Sequence, residues 1–229
     1  MGIAQRYERE RARVDEVCRA AGRQPGDVLL LAVSKTVDVE GARQAFEAGA
    51  RAFGENRPDE LMRKAAALPD AAWHFIGNIQ SRRIPDIVGA SALIHSLYQE
   101  KHARKIDETA ARLEKTQDVL IEVNVSGEAS KSGVAPEDAA ELVHMAVALP
   151  HVRVRGLMTM APQGDAARAR ACFEGLAALQ ADIRAQLPVD DAAVFDQLSA
   201  GMSEDWEEAV AAGSTIVRIG RAIFSEEFA

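Results

Sequence analysis

The chain has 229 residues, 48% hydrophobic and 27% charged, enough apolar content and length to bury a core. Lys plus Arg number 27 against 35 Asp plus Glu, for a formal net charge of -8. That balance argues against binding along a nucleic-acid backbone, which needs clustered positive charge, but leaves room for one small anion site.

Apolar, β-branched runs alternate with helical patterns from end to end. A helix over about 4–21 opens the chain. Strands are then expected at 28–33, 50–53, 73–76, 92–95, 119–123, 152–157, 194–198 and 215–219. Helices are expected between them at 39–48, 59–68, 81–88, 99–115, 136–149, 165–186 and 204–211. Short strands buried on both faces, joined by helical crossovers, indicate a parallel sheet. Eight such units predict one closed (β/α)8 TIM barrel filling residues 1–229 as a single domain. The last strand lacks a long following helix, and the N-terminal helix is placed to cover that gap. Gly49, Gly89 and Gly213 each stand between a helix and the next strand, the pattern of a left-handed helix cap.

No apolar stretch is long enough to span a bilayer, and the first nine residues carry too much charge for a signal peptide. Met1-Gly2 lacks the Ser or Thr that myristoylation requires where Arg6 stands. Cys18 and Cys172 read as two buried thiols rather than a disulfide or metal pair. The expectation is a cytoplasmic protein without membrane or nucleic-acid partners.

In a barrel of this kind the site forms where the strands end. Those ends carry Lys35, Gly54-Glu55-Asn56, Gly77-Asn78-Ile79-Gln80, Ser96, Asn124, Met158-Thr159-Met160, Ser199 to Ser203 and Gly220-Arg221. A lysine at a strand end, partly desolvated, can lose its proton and capture an aldehyde as a Schiff base. Ser199-Ala200-Gly201-Met202-Ser203 is read as a loop opening a helix, with N–H groups and the Ser203 hydroxyl available to an anion. Gly220 lets a ligand approach the backbone after strand eight. Taken with Lys35, the two loops favour a phosphorylated aldehyde. His74 is read as pointing into the barrel, either as a hydrogen-bonded core residue or as a ligand contact. His95 and His102 lack metal-pair spacing. Arg82 and Arg83 are read as a solvated helix face, and Lys131 as a surface residue.

At this point the chain resembles the pyridoxal phosphate homeostasis proteins, also called the alanine racemase N-terminal-domain-like family. The matching segments run in order through nearly the whole sequence. They are Leu31-Ala32-Val33-Ser34-Lys35-Thr36, Phe53-Gly54-Glu55-Asn56, Trp73-His74-Phe75-Ile76-Gly77 and Asn124-Val125-Ser126. Ser130-Lys131-Ser132-Gly133, Arg155 to Met160, Gly201 to Asp205 and Val217 to Phe224 follow. The resemblance implies pyridoxal 5'-phosphate (PLP) on Lys35, its phosphate held by Ser203 and the backbone at Gly220 and Arg221. It implies Arg218 against the pyridine nitrogen, and Asn56, His74 and Met202 lining the pocket. It further implies a non-enzymatic role in binding and delivering the cofactor for vitamin B6 balance, with apo PLP-dependent enzymes as recipients. A monomer is expected. The family pattern is broken at Asn78, Arg82, Arg83, Arg57-Pro58-Asp59 and Ser225, none of them the proposed Schiff-base lysine.

Two other readings suit the same residues: an amino-acid racemase, and a Schiff-base aldolase or phosphosugar enzyme. Related racemases take a second base, a tyrosine, from a second domain. The two tyrosines here are Tyr7 and Tyr98, and Tyr98, after strand four, is the one positioned to reach the rim.

Overall fold

A computed structural model describes residues 1–128, 131–162 and 164–226. The strands are β1 (Leu29–Val33), β2 (Ala52–Glu55), β3 (Ala72–Phe75) and β4 (Leu93–Leu97), then β5 (Gln117–Glu122), β6 (Val152–Met158), β7 (Gln197–Met202) and β8 (Ile216–Ile219). They pair in sequence order, all parallel, and β8 returns to β1 to close the barrel. The helices are α1 (Ile3–Ala20), α2 (Val39–Glu47), α3 (Pro58–Ala67), α4 (Ile84–Ala90) and α5 (Glu100–Arg112). They continue as α6 (Ala139–Val147), α7 (Ala166–Arg184), α8 (Val189–Val194), α9 (Trp206–Ala211) and α10 (Arg221–Phe224). The expected end of the domain, at residues 227–229, lies outside the described residues, as does Ser130.

The barrel is the expected one, with shifted boundaries. The apolar stretch at Val194 ends α8 instead of starting β7, so β7 runs from Gln197 through Met202. The segment Ser199 to Met202, expected as a loop, is therefore strand, and Ser199 lies inside the barrel wall. Gly49 and Gly213 take left-handed backbone as expected, but Gly89 does not. It sits within α4, and the chain leaves that helix through extended Ser91.

Helix α1 fills the outer-ring position beside the very short α10. Its buried residues Tyr7, Glu10, Val14 and Cys18 recur at helical spacing and form one face. Arg6, also buried, donates from Nε to the Ile223 carbonyl at 2.7 Å and ties α1 to α10. Cys18 and Cys172 are buried and unpaired. Among the described residues no helix is long and apolar enough to cross a membrane, and no cluster suits a metal ion.

Most of the core lies between barrel and helices. A smaller cluster fills the barrel itself: Leu31, Ala52, Leu93, Leu120, Met158 and Ile216. Strands β3 and β7 contribute no large apolar side chain to it. Their inward positions are polar, at His74 and Ser199, and the functional geometry begins there.

Barrel closure also demands one glycine. Gly156 has φ +147°, and a Cβ there would stand 1.9 Å from the Gln197 carbonyl oxygen. It directly follows Arg155, the extra residue by which the β5–β6 register shifts. Gly156→Ala is expected to destabilise the protein by about 2–3 kcal/mol in urea unfolding. Gly89→Ala, in a helix with open space around it, should be neutral or stabilising by up to about 1 kcal/mol. Equal effects at the two positions would contradict this account of the register shift.

Candidate functional site

The C-terminal strand ends enclose a cavity of about 590 Å³, within the usual range for small-molecule sites. Val33 and Lys35 reach it from β1, Asn56 from β2, and Ile76, Gly77 and Asn78 from β3. Met158 and Met160 close one side; Met202, Ser203, Asp205, Arg218, Gly220 and Arg221 close another. Seven residues singled out from the sequence thus meet at one cavity: Lys35, Asn56, Met202, Ser203, Arg218, Gly220 and Arg221.

Lys35 follows the buried pair Val33–Ser34 but is itself exposed, not partly desolvated as expected. The strand ends before it, so the side chain leaves the packed wall. Among the described residues no hydrogen bond or ion pair engages its amine. Ser203 likewise takes part in no hydrogen bond among them, so its hydroxyl and N–H remain available. The loop that presents it is held by the Asp205 carboxylate, which accepts from the Met202 N–H at 2.6 Å. At Gly220 a Cβ would come within 3.1 Å of the Val33 carbonyl, so glycine lets the end of β8 lie against β1. The exposed Arg221 pairs with Glu204 at 2.6 Å.

Below the cavity, Arg218 is almost fully buried and forms no ion pair among the described residues. Its Nη1 donates to Ser199 Oγ at 2.7 Å, and its Nη2 to the Thr159 carbonyl at 2.9 Å. Ser199 Oγ meets His95 Nδ1 at 2.9 Å, and His95 Nε2 meets His74 Nδ1 at 2.9 Å. A guanidinium only donates, so Ser199 accepts from Arg218. A hydroxyl has one hydrogen and two acceptor sites, so Ser199 suits either tautomer of His95, and that tautomer sets the direction of both remaining contacts.

His74 accordingly does not line the cavity. It occupies the opposite, N-terminal mouth, beside Asp118, Leu29 and Thr215. The reason is depth: His74 pairs with Gly54 and Leu93 inside the sheet, two residues before the cavity wall at Ile76. Burial lowers its pKa to about 4 and holds that of His95 well below the ordinary histidine value, so both rings are neutral at pH 7.

Glu122 was not legible from the sequence as a buried, inward-facing carboxyl near Arg218. It ends β5 two positions beyond the inward Leu120, so it points into the barrel. Burial raises its carboxyl to about 7, opposed by the nearby charge of Arg218. Burial also lowers Arg218, to about 10, opposed by Asp205 and Glu122, which leaves it cationic at neutral pH. The inward alternation Asp118, Leu120, Glu122 is the signal that could have revealed it.

The other rim residues separate clearly. Lys131 is not free surface: its Nζ donates to the Met160 and Ala161 carbonyls at 3.1 and 2.5 Å. Arg83 pairs with Asp59 and Asp86, while Arg82 is exposed. His102 meets Ser81 Oγ at 2.9 Å. The Tyr98 hydroxyl donates to Asn78 Oδ1 at 3.3 Å, which brings it to the edge of the cavity.

Residues 8–227 match the family described as "Alanine racemase, N-terminal domain". A pyridoxal phosphate homeostasis protein of Aquifex aeolicus is 39% identical, over 99% of both chains. One from Pseudomonas aeruginosa is 42% identical over 97% of this chain and 94% of its own. Among solved structures, PipY of Synechococcus elongatus with PLP bound superposes with a TM-score of 0.82 at 32% identity, over 97% of this chain and all of that one.

Glu122 gives the site a pH signature. Its folded pKa lies above the ordinary carboxyl value of 4.5, so the folded state binds its proton more tightly than the unfolded state. The stabilisation is present at low pH and lost as pH rises through 7. Glu122→Gln should therefore match the wild type near pH 5 and exceed it near pH 8, by on the order of 2–3 kcal/mol. Thermal unfolding at the two pH values tests this. Equal destabilisation at both would mean that the carboxylate is held ionised.

Proposed function

The chain belongs to the pyridoxal phosphate homeostasis proteins, and from that premise we propose that it binds PLP on Lys35 and serves as a cofactor carrier. The observation that carries the reading is that the Lys35 amine and the hydroxyl and N–H of Ser203, none of them hydrogen-bonded among the described residues, line one cavity of suitable size. The donor set fits the group. Ser203 and the backbone at Gly220 and Arg221 would hold its phosphate, and Asn56 and Met202 would line its flanks. When bound, PLP supplies an aldehyde that a lysine amine captures reversibly as a Schiff base.

Arg218 is assigned to the pyridine nitrogen. Ser199 and Thr159 hold two of its five donors and fix its plane, leaving others for the cavity. Because it can only donate, a ring nitrogen paired with it must stay unprotonated. An unprotonated pyridine is a weaker electron sink than a pyridinium. The side chain thus favours holding the cofactor over consuming amino acids with it. Relatives named for homeostasis rather than for a reaction agree with that role. The carrier is read as one cytoplasmic, monomeric domain that delivers its cofactor to apo-enzymes.

The racemase reading retains one supporting observation, the Tyr98 hydroxyl at the cavity edge. Incubation with L-alanine followed by chiral analysis is expected to show no turnover in the ordinary enzyme range of roughly 1 s⁻¹ or more. Turnover that disappears in Tyr98→Phe would replace the carrier reading with the racemase.

The purified protein should show a near-ultraviolet to violet absorbance band with PLP, and borohydride should trap the cofactor on Lys35. Lys35→Ala should lose both. A trapped adduct that persists on Lys131 in this variant would move the site. Nitrogen-15 NMR of labelled cofactor should find the ring nitrogen unprotonated at neutral pH, and a protonated nitrogen would remove Arg218 from that role.

A further inference from the structure

Behind Lys35 and Asn56 lies a second lysine. Lys64, on α3, is fully buried, and its Nζ stands 2.5 Å from Glu55 Oε1 and 2.8 Å from the Ser34 carbonyl. Ser34 Oγ donates to the same Glu55 oxygen at 2.8 Å. All three residues are fully buried. Ser34 directly precedes Lys35, and Glu55 directly precedes Asn56.

The alternation of a strand explains the arrangement. Ser34 and Glu55 face outward, toward the helices, where Lys64 binds both. Their neighbours Lys35 and Asn56 face the cavity. One ammonium therefore grips the backs of the two strand ends whose fronts carry cavity residues. The Ser34 N–H donates to the Gly54 carbonyl at 3.1 Å, so the two ends are also joined directly.

Stability is a poor explanation for the cluster. Burying two full charges costs desolvation energy that their attraction repays only when every lone pair is satisfied, and apolar replacements of such pairs are often neutral or stabilising. Here Glu55 Oε2 is buried without a hydrogen-bond partner among the described residues. What the pair supplies is a defined position, since a short charged contact tolerates little displacement.

We propose that the Glu55–Lys64 pair acts as a positioning device, locking the ends of β1 and β2 so that Lys35 and Asn56 meet the cofactor in one arrangement. The effect on cofactor binding rests on the PLP reading above; the locking of the strand ends does not.

The double variant Glu55→Gln/Lys64→Met removes both charges with little change in volume. It is expected to unfold within a few degrees of the wild type or later. Its affinity for PLP should fall about tenfold or more, and the pH midpoint of its absorbance band should shift. In the cofactor-free protein, amide hydrogen exchange should accelerate about tenfold at residues 35, 36 and 56 while the far side of the barrel is unchanged. Ser34→Ala keeps the ion pair and loses one hydrogen bond, so it should weaken PLP binding about threefold. It also decides the matter if the double variant does not fold. Wild-type affinity, midpoint and local exchange in the folded variants would overturn the proposal and leave a purely structural pair. A wild type that captures no PLP would defeat the carrier reading, while the exchange data would still judge the locking of the strand ends.

Discussion

Closing eight parallel strands gives each one an inner and an outer face, and the rest of this structure depends on that alternation. The closed wall has no free edge, so every strand must direct one set of side chains to the helices and the other into a narrow interior. Leu31, Ala52 and Leu93 fill part of that interior. Arg218, Ser199, His95 and His74 occupy much of the remainder as one hydrogen-bonded line. A charge can remain there because Ser199 and the Thr159 carbonyl hold two of its donors.

The same alternation separates two jobs at the strand ends. Outward residues Ser34 and Glu55 meet Lys64 and fix the backbone. Lys35 and Asn56, one position on, face the cavity, and among the described residues no side-chain hydrogen bond engages either. The two lysines make the contrast plain. Lys64 is sealed in and fully engaged; Lys35 is exposed and engaged by nothing described. The proposed capture and release of an aldehyde suits the second environment.

Electrostatics in the interior is dominated by burial. It pushes His74 and His95 toward neutrality and Glu122 toward its acid form, and it lowers Arg218 without discharging it. The result near neutral pH is one persistent cation beneath the cavity, one carboxyl poised near titration and two neutral rings.

The order of strands, the closed barrel and the cavity rim were legible from sequence, because hydrophobic periodicity and the positions of strand ends are local properties. Lys35, Ser203 and Gly220 needed only that information to be found. Depth within the barrel was not local. Whether His74 reached the cavity depended on where β3 registers against its neighbours, and β7 began three residues later than its apolar run suggested because α8 absorbed Val194. Glu122, Lys64 and the tether of Lys131 were equally hidden, since each is defined by groups on other elements. Sequence by itself therefore determined the fold, the rim and the lysine that faces it. Only the tertiary structure decided which buried charges face one another, because burial and pairing are set by chain segments that no single stretch of residues contains.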